Sequence, residues 1–154
     1  MLDTIESGPI VLVGTSLGAA VALQEAADDR RITALVAAET FSDLRTIAEE
    51  RAPFFFTAGL LRRAFQVAEE RGRFQVDAVS PEIAAARIAV PVLLVHGAAD
   101  TDTSPDHSRR VLAALAGPTR LILVDGASHN GSLTPDVWDE VERWIDGVIG
   151  RAPG

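Results

Sequence analysis

Four short apolar runs divide the chain, and a stretch with helical character follows each of them. The runs are Pro9-Ile10-Val11-Leu12-Val13, Ile32-Thr33-Ala34-Leu35-Val36-Ala37-Ala38, Val90-Pro91-Val92-Leu93-Leu94-Val95 and Arg120-Leu121-Ile122-Leu123-Val124. They are continuous rather than alternating, which predicts strands buried on both faces of a parallel sheet. Pro91 is compatible with a strand because it falls among the first residues of its run. After the first run an alanine-rich helix extends to about Asp28. Ser42 or Asp43 caps a helix to about Ala52, where Pro53 stops it. The spacing predicts a further helix from Phe54 to Arg71, with Gly72 just beyond its end. Ser80-Pro81-Glu82 opens a short helix to about Arg87, with serine as N-cap and proline at the first helical position. Helices over Pro105–Ala116 and from Thr134-Pro135 onward complete the set. In the last one Val137, Trp138, Val141, Trp144, Ile145 and Val148 share a face, so both tryptophans are expected in the core. Residues 1–8 read as a short polar lead-in, and Arg151-Ala152-Pro153-Gly154 as a loose tail.

Strands alternating with helices predict an α/β fold with a parallel sheet and right-handed crossovers. In such sheets sites form at the carboxyl ends of strands. The residues there are informative. Gly14-Thr15-Ser16-Leu17-Gly18 is a G-x-S-x-G between a strand and a helix, the pattern of a nucleophile elbow. So abrupt a reversal is expected to strain Ser16 and lift its hydroxyl above the sheet. Side chains at positions 14 and 18 are expected to collide with neighbouring backbone, hence two glycines. The helix N-terminus then presents free N–H groups where an oxyanion would form. His96-Gly97-Ala98-Ala99-Asp100-Thr101-Asp102 follows the third run, and Asp125-Gly126-Ala127-Ser128-His129-Asn130 the fourth. A serine, a carboxylate and a histidine thus each lie at a strand's carboxyl end.

Composition narrows the partners. The 154 residues suit one domain with a core, and 47% hydrophobic with 23% charged residues is globular composition. A net charge of −8 argues against nucleic acid or an anionic membrane as partner. There is no cysteine, which excludes disulfides, a thiol nucleophile and thiolate zinc sites. No apolar run approaches a membrane span, and the first residues lack a signal-peptide pattern, so the cytoplasm is the expected compartment. No metal or other cofactor is expected. The three histidines have no H-x-x-x-H spacing, and Pro105 and Val111 stand where a calcium loop needs glycine and glutamate.

G-T-S-L-G at 14–18, H-G-A-A-D at 96–100 and G-A-S-H-N at 126–130 together resemble the elbow, acid loop and histidine loop of α/β-hydrolase-fold serine hydrolases. The chain order Ser, Asp, His is that fold's order. Within the fold, the chain is most similar to small bacterial hydrolases of the serine-aminopeptidase and Bem46-like group, and the likeness spans nearly all of it. The resemblance implies that Ser16 attacks an acyl carbonyl, that His129 relays the proton, and that Asp100 orients the imidazole. It implies the Leu17 N–H as one oxyanion donor. Asp102 competes for the acid role, although the family places its acid four residues after the histidine of the H-G pair, which favours Asp100. His96 is expected to be structural, and His107 to lie at the surface or behind the site. A flavodoxin-like module with a phosphate at the elbow helix is the weaker fold alternative, since it needs neither Asp100 nor His129.

The family's sheet usually has eight strands, and these four resemble the fifth to eighth. The expectation is a single partial domain over 1–154, with a cap-like helical segment at about 42–74. In that segment Phe54, Phe55 and Leu60 are candidate substrate-pocket residues, against the competing expectation that their helix packs on the sheet. The second oxyanion donor normally comes from a loop after the third strand, and the sequence has no H-G-G or similar loop. A truncated reading frame with Met1 as an internal start is therefore expected. The functional expectation is a serine hydrolase of carboxylic esters, thioesters or amides, incompetent in part or whole through truncation. A non-catalytic fragment that self-associates or complements another chain, pairing through an exposed edge at the elbow strand, is the alternative.

Overall fold

The computed structural model describes residues 8–150; the expected lead-in and tail lie almost wholly outside them. Four parallel strands form one sheet in the order β1 (Ile10–Thr15), β2 (Ile32–Ala38), β3 (Val92–Gly97), β4 (Thr119–Val124). The helices are α1 (Leu17–Asp28), α2 (Leu44–Glu50), α3 (Ala58–Gly72), α4 (Pro81–Ala85), α5 (Pro105–Ala114) and α6 (Pro135–Ile149), with a 3₁₀ turn at Val76–Ala78.

Burial on both faces is found for β2 and β3 only; β1 and β4, the outer strands among the described residues, leave part of their apolar runs uncovered, with Val13 45% and Leu123 38% exposed. In β2, Leu35 and Ala37 face one side with Leu94 of β3, beneath α1, α4 and α5. Val36 and Ala38 face the other with Leu93 and Val95, beneath α6. Every residue of β3 is buried. Sequential strands are neighbours, so the carboxyl ends of all four open on the same side of the molecule.

The helix starts follow their caps. Asp43, Thr57, Ser80, Ser104 and Thr134 each accept a first-turn backbone N–H, and proline occupies the first turn of α4, α5 and α6.

Several boundaries differ from expectation for local reasons. The helix expected from Phe54 begins at Ala58, because Pro53 accepts the Phe56 N–H in a turn and Thr57 supplies the cap. It ends on Gly72 itself, and Arg73 takes the left-handed position at φ 54°. The Phe74 ring packs against Gly72, where a Cβ would meet it at 2.5 Å and displace the ring. The third strand begins at Val92, since Pro91 has no N–H to contribute and only its carbonyl bonds across, to the Leu35 N–H. Trp138 is exposed rather than in the core, its indole N–H donating to Glu142, whereas Trp144 packs under the sheet. The expected packing of the Phe54–Arg71 stretch on the sheet does not occur. No residue of α3 is buried, and the helix leans on the 3₁₀ turn at 76–78 instead.

Candidate active site

The elbow forms because β1 and α1 meet without a linker. Ser16 takes φ 49° and ψ −118° between them, a conformation that costs a side-chain-bearing residue energy. Its own N–H is held by the Ala38 carbonyl at 2.8 Å. Gly14 makes the turn sterically feasible, since a Cβ there would lie 2.5 Å from the Gly18 carbonyl oxygen. The matching expectation for Gly18 is corrected. Among the described residues a Cβ at 18 meets nothing within 4 Å.

The acid and histidine loops are bound to each other before any side chain is considered. Ala99 donates its N–H to the Ala127 carbonyl at 3.0 Å. A Cβ on Gly97 would sit 2.3 Å from that carbonyl oxygen, so the approach requires glycine. Across this junction Asp100 Oδ2 accepts from His129 Nδ1 at 2.7 Å, and His129 Nε2 lies 3.0 Å from Ser16 Oγ. The three side chains named from the sequence therefore converge. With Nδ1–H donated to the carboxylate, Nε2 is free to accept the serine proton. Asp102 does not reach the imidazole through its carboxylate; its backbone N–H serves Asp100 Oδ1.

Asp100 is buried, with its side chain inaccessible. Burial pushes its pKa up. The Thr103 N–H, the His129 hydrogen bond and charge, and the Asp102 N–H outweigh that and hold the carboxyl below its usual range. His96 closes the acid loop from below. Its Nε2–H donates to the Thr103 carbonyl at 2.8 Å and its Nδ1 accepts from Ser108 Oγ at 2.7 Å. Burial lowers the pKa of His96, against the opposing pull of Thr103, Asp100 and Glu39, which suits a neutral ring.

Glu39 was not singled out in the sequence. It follows β2 directly, is 1% exposed and sits at φ 54°. Its carboxylate accepts the Asn130 N–H at 2.6 Å and the Ser132 N–H at 3.0 Å, which fixes the chain just beyond His129. The available signal was a charged residue at a buried strand's carboxyl end, the same position that flagged the other three. Of the two expected places for His107, the surface is excluded: the residue is buried and bonds to Glu50.

Leu17 opens α1 beside Ser16, and its N–H has no acceptor among the described residues. A cleft of about 490 Å³ beside His129 is lined by Glu50, Arg51, Thr101, Asp102 and Ser104. Phe54, Phe55 and Leu60 lie elsewhere, exposed in the 53–57 turn and the first turn of α3, with Phe54 fully exposed. Among the described residues no cluster of His, Asp or Glu is arranged to hold a metal ion, and no helix is long and apolar enough to cross a membrane.

Residues 1–144 match the model of the alpha/beta hydrolase family. The chain belongs to that family. The chain is similar to the uncharacterised protein YfhR of Escherichia coli O157:H7 and of strain K12, each 30% identical over 122 residues. That alignment covers 78% of this chain and 38% of YfhR, so the chain spans well under half the length of these curated relatives. Solved structures agree on the fold. The esterase domain of a Rhodothermus marinus protein superposes with a TM-score of 0.69 at 20% identity, over 96% of this chain and 65% of that one. An acetyl xylan esterase from Paenibacillus sp. R4 gives 0.71 at 23% identity, over 90% and 45%. A puromycin-hydrolyzing peptidase from Mycobacterium tuberculosis gives 0.72 at 25% identity, over 93% and 22%. The comparisons thus establish the family and the fold.

Proposed function

We propose that this alpha/beta hydrolase is a serine hydrolase that cleaves a carboxylic ester, thioester or amide through an acyl-enzyme. One observation carries the proposal: Ser16 Oγ, His129 and Asp100 form a continuous hydrogen-bonded series at 3.0 and 2.7 Å on a strained elbow. Ser16 Oγ attacks the acyl carbonyl carbon while His129 Nε2 takes its proton. The oxyanion draws on the Leu17 N–H at the positive end of α1. Collapse of the tetrahedral intermediate expels the leaving group, which receives the proton from His129. Water activated by the same imidazole then releases the acid. Asp100 stays ionised throughout and steadies the imidazolium.

Intact-mass spectrometry after treatment with a fluorophosphonate tests this directly. A single adduct is expected, absent in Ser16→Ala and much slowed in His129→Ala. A folded protein, verified by circular dichroism, that takes no adduct overturns the proposal for this chain.

A second reading, association without catalysis, has its own observation. β1 is a sheet edge among the described residues, and Val13, Leu17 and Val21 are exposed beside it at 45%, 63% and 55%. The occupant in this reading is a second copy of the chain. Light scattering across a concentration series would show a dimer, and a monomer at every concentration removes that reading.

A further inference from the structure

His107 lies on α5 and is fully buried, yet its hydrogen bonds lead outward. Nδ1 receives the Ser42 backbone N–H at 3.1 Å and an Arg110 guanidinium N–H at 2.7 Å. Both groups only donate, so the ring proton sits on Nε2. From there it is donated to Glu50 Oε2 at 2.8 Å. Arg110 also donates to Ser42 Oγ at 3.1 Å, which closes the buried part of the network. Networks of this kind are rigid only when every member is satisfied, and this one is satisfied as far as its last atom. That atom is Oε1 of Glu50, which has no partner among the described residues.

Glu50 is half-exposed and stands in the cleft that holds His129. The one cation lining that cleft, Arg51, is already engaged. Its Nε donates to the Asp102 carbonyl at 2.8 Å and its Nη2 to Thr103 Oγ1 at 2.7 Å. Asp102, a second acidic residue, lines the same space. The cleft therefore presents acceptors and a surplus of negative charge. Its position beside His129, the group that returns a proton to the departing atom, makes it the leaving-group side of the proposed reaction.

We infer that Glu50, positioned by His107, binds an ammonium group carried on the substrate's leaving group. The inference rests on the serine hydrolase proposal above. A charge-assisted N–H···O bond to a carboxylate held in place is stronger than one from a neutral hydroxyl, so the preference is for cationic over hydroxylated leaving groups. Glu50 is in this account a substrate-binding residue and His107 a positioning residue.

The test compares kcat/KM for 2-(dimethylammonio)ethyl butanoate and its neutral isostere 3-methylbutyl butanoate, with 2,3-dihydroxypropyl butanoate as a third arm. The two esters differ in intrinsic reactivity, so the informative quantity is how their ratio changes in Glu50→Gln. Glutamine retains an oxygen for His107 Nε2–H and removes the charge. The ratio is expected to fall about tenfold, equivalent to one strong interaction. A merely structural tie between α2 and α5 would lower both rates together and leave the ratio intact, which overturns the inference. Equal preference for the dihydroxypropyl and ammonium esters overturns it as well. Where turnover is slow, the rate of fluorophosphonate labelling gives the same information. Labelling is expected to be slowed by 2-(dimethylammonio)ethanol and not by 3-methylbutanol. Normal labelling that neither alcohol slows removes only this inference, whereas folded protein without labelling removes the serine hydrolase proposal and this one with it.

Discussion

The strand-end loops and the α2–α3 excursion are built on opposite terms. At the carboxyl ends of β2, β3 and β4, buried polar groups are bound in series. Glu39 holds Asn130 and Ser132, Asp100 holds Thr103, Asp102 and His129, and His96 holds Thr103 and Ser108. α3 buries no residue, and its ties are few: Glu69 accepts the Val76 N–H, and Arg45 lies 4.7 Å from the Phe65 ring centroid. Burial raises the penalty for an unmade hydrogen bond, so geometry at the strand ends is fixed to fractions of an ångström. An exposed helix carries no such penalty. Changes should therefore be felt at the first region and absorbed at the second.

Asp100→Asn is the largest expected perturbation. Asparagine can retain the acceptor for Thr103 and Asp102, while the amide leaves His129 without its anionic partner and favours the wrong tautomer. Fluorophosphonate labelling should slow by about 10³–10⁴-fold, with the thermal transition little moved. An unaltered rate would mean that Asp100 is only a loop brace. Gly14→Ala comes next. The new methyl carbon would meet backbone at 2.5 Å, and backbone cannot swing aside. A loss of about 3 kcal/mol in urea unfolding is expected, along with labelling. Gly18→Ala is the matched control, with open space around the new methyl and an expected change within about 1 kcal/mol.

Glu39→Ala follows. It strands two backbone N–H groups beside His129, each worth about 1–3 kcal/mol if left without a partner, and water entering the space recovers part of that. Chemical denaturation and labelling rate should fall together, because the same bonds stabilise the loop and aim the imidazole. His96 sets a pH limit on this region. Its pKa in the fold is below that of the unfolded chain, so the unfolded chain takes up a proton first as pH drops. Stability from this group is complete above the ordinary histidine range and is lost as pH falls through it. One proton bounds the slope at about 1.4 kcal/mol per pH unit. Urea midpoints from pH 8 to 5 should decline in the native protein and flatten in His96→Asn.

What could be read from the sequence divides along the same line. The strands were legible because β2 and β3 are buried on both faces, and such strands leave uninterrupted apolar runs. The caps of α2, α4 and α6 were legible because Ser, Thr and Asp do there what their short side chains do in any chain. Gly14, Ser16, Asp100 and His129 stood out because a strand-end rule and a motif point to the same few positions. Glu39 met the rule and had no motif, so it passed unnoticed. The network from Ser42 through His107 and Arg110 to Glu50 was not legible at all. Its members come from two stretches far apart in sequence, 42–50 and 107–110, and only the fold brings them together. The reading of α3 failed for a different reason. An apolar stripe says that a helix has a face to cover and does not say what covers it.

Phe54 and Phe55 give the smallest expected effect and decide whether the comparison holds. Their rings lie 5.5 Å apart in an edge-on contact, but Phe54 is fully exposed and Phe55 63% exposed, so little apolar area is withdrawn from water. Truncating an exposed side chain away from caps and cores changes stability by about 0.5 kcal/mol or less. Phe54→Ser with Phe55→Ser should therefore leave both the unfolding midpoint and the labelling rate of a small fluorophosphonate where they were. The same pair tested with a long-chain alkyl fluorophosphonate asks a different question. If the double variant slows the long probe and spares the short one, these rings form a wall for an extended acyl chain despite their exposure. The 42–74 segment would then belong to the site, and the contrast would be between parts that fix the reacting atoms and parts that receive the substrate. If both probes react unchanged, that role is excluded for the two rings, and the cleft at Glu50 is left as the described recognition surface beside His129.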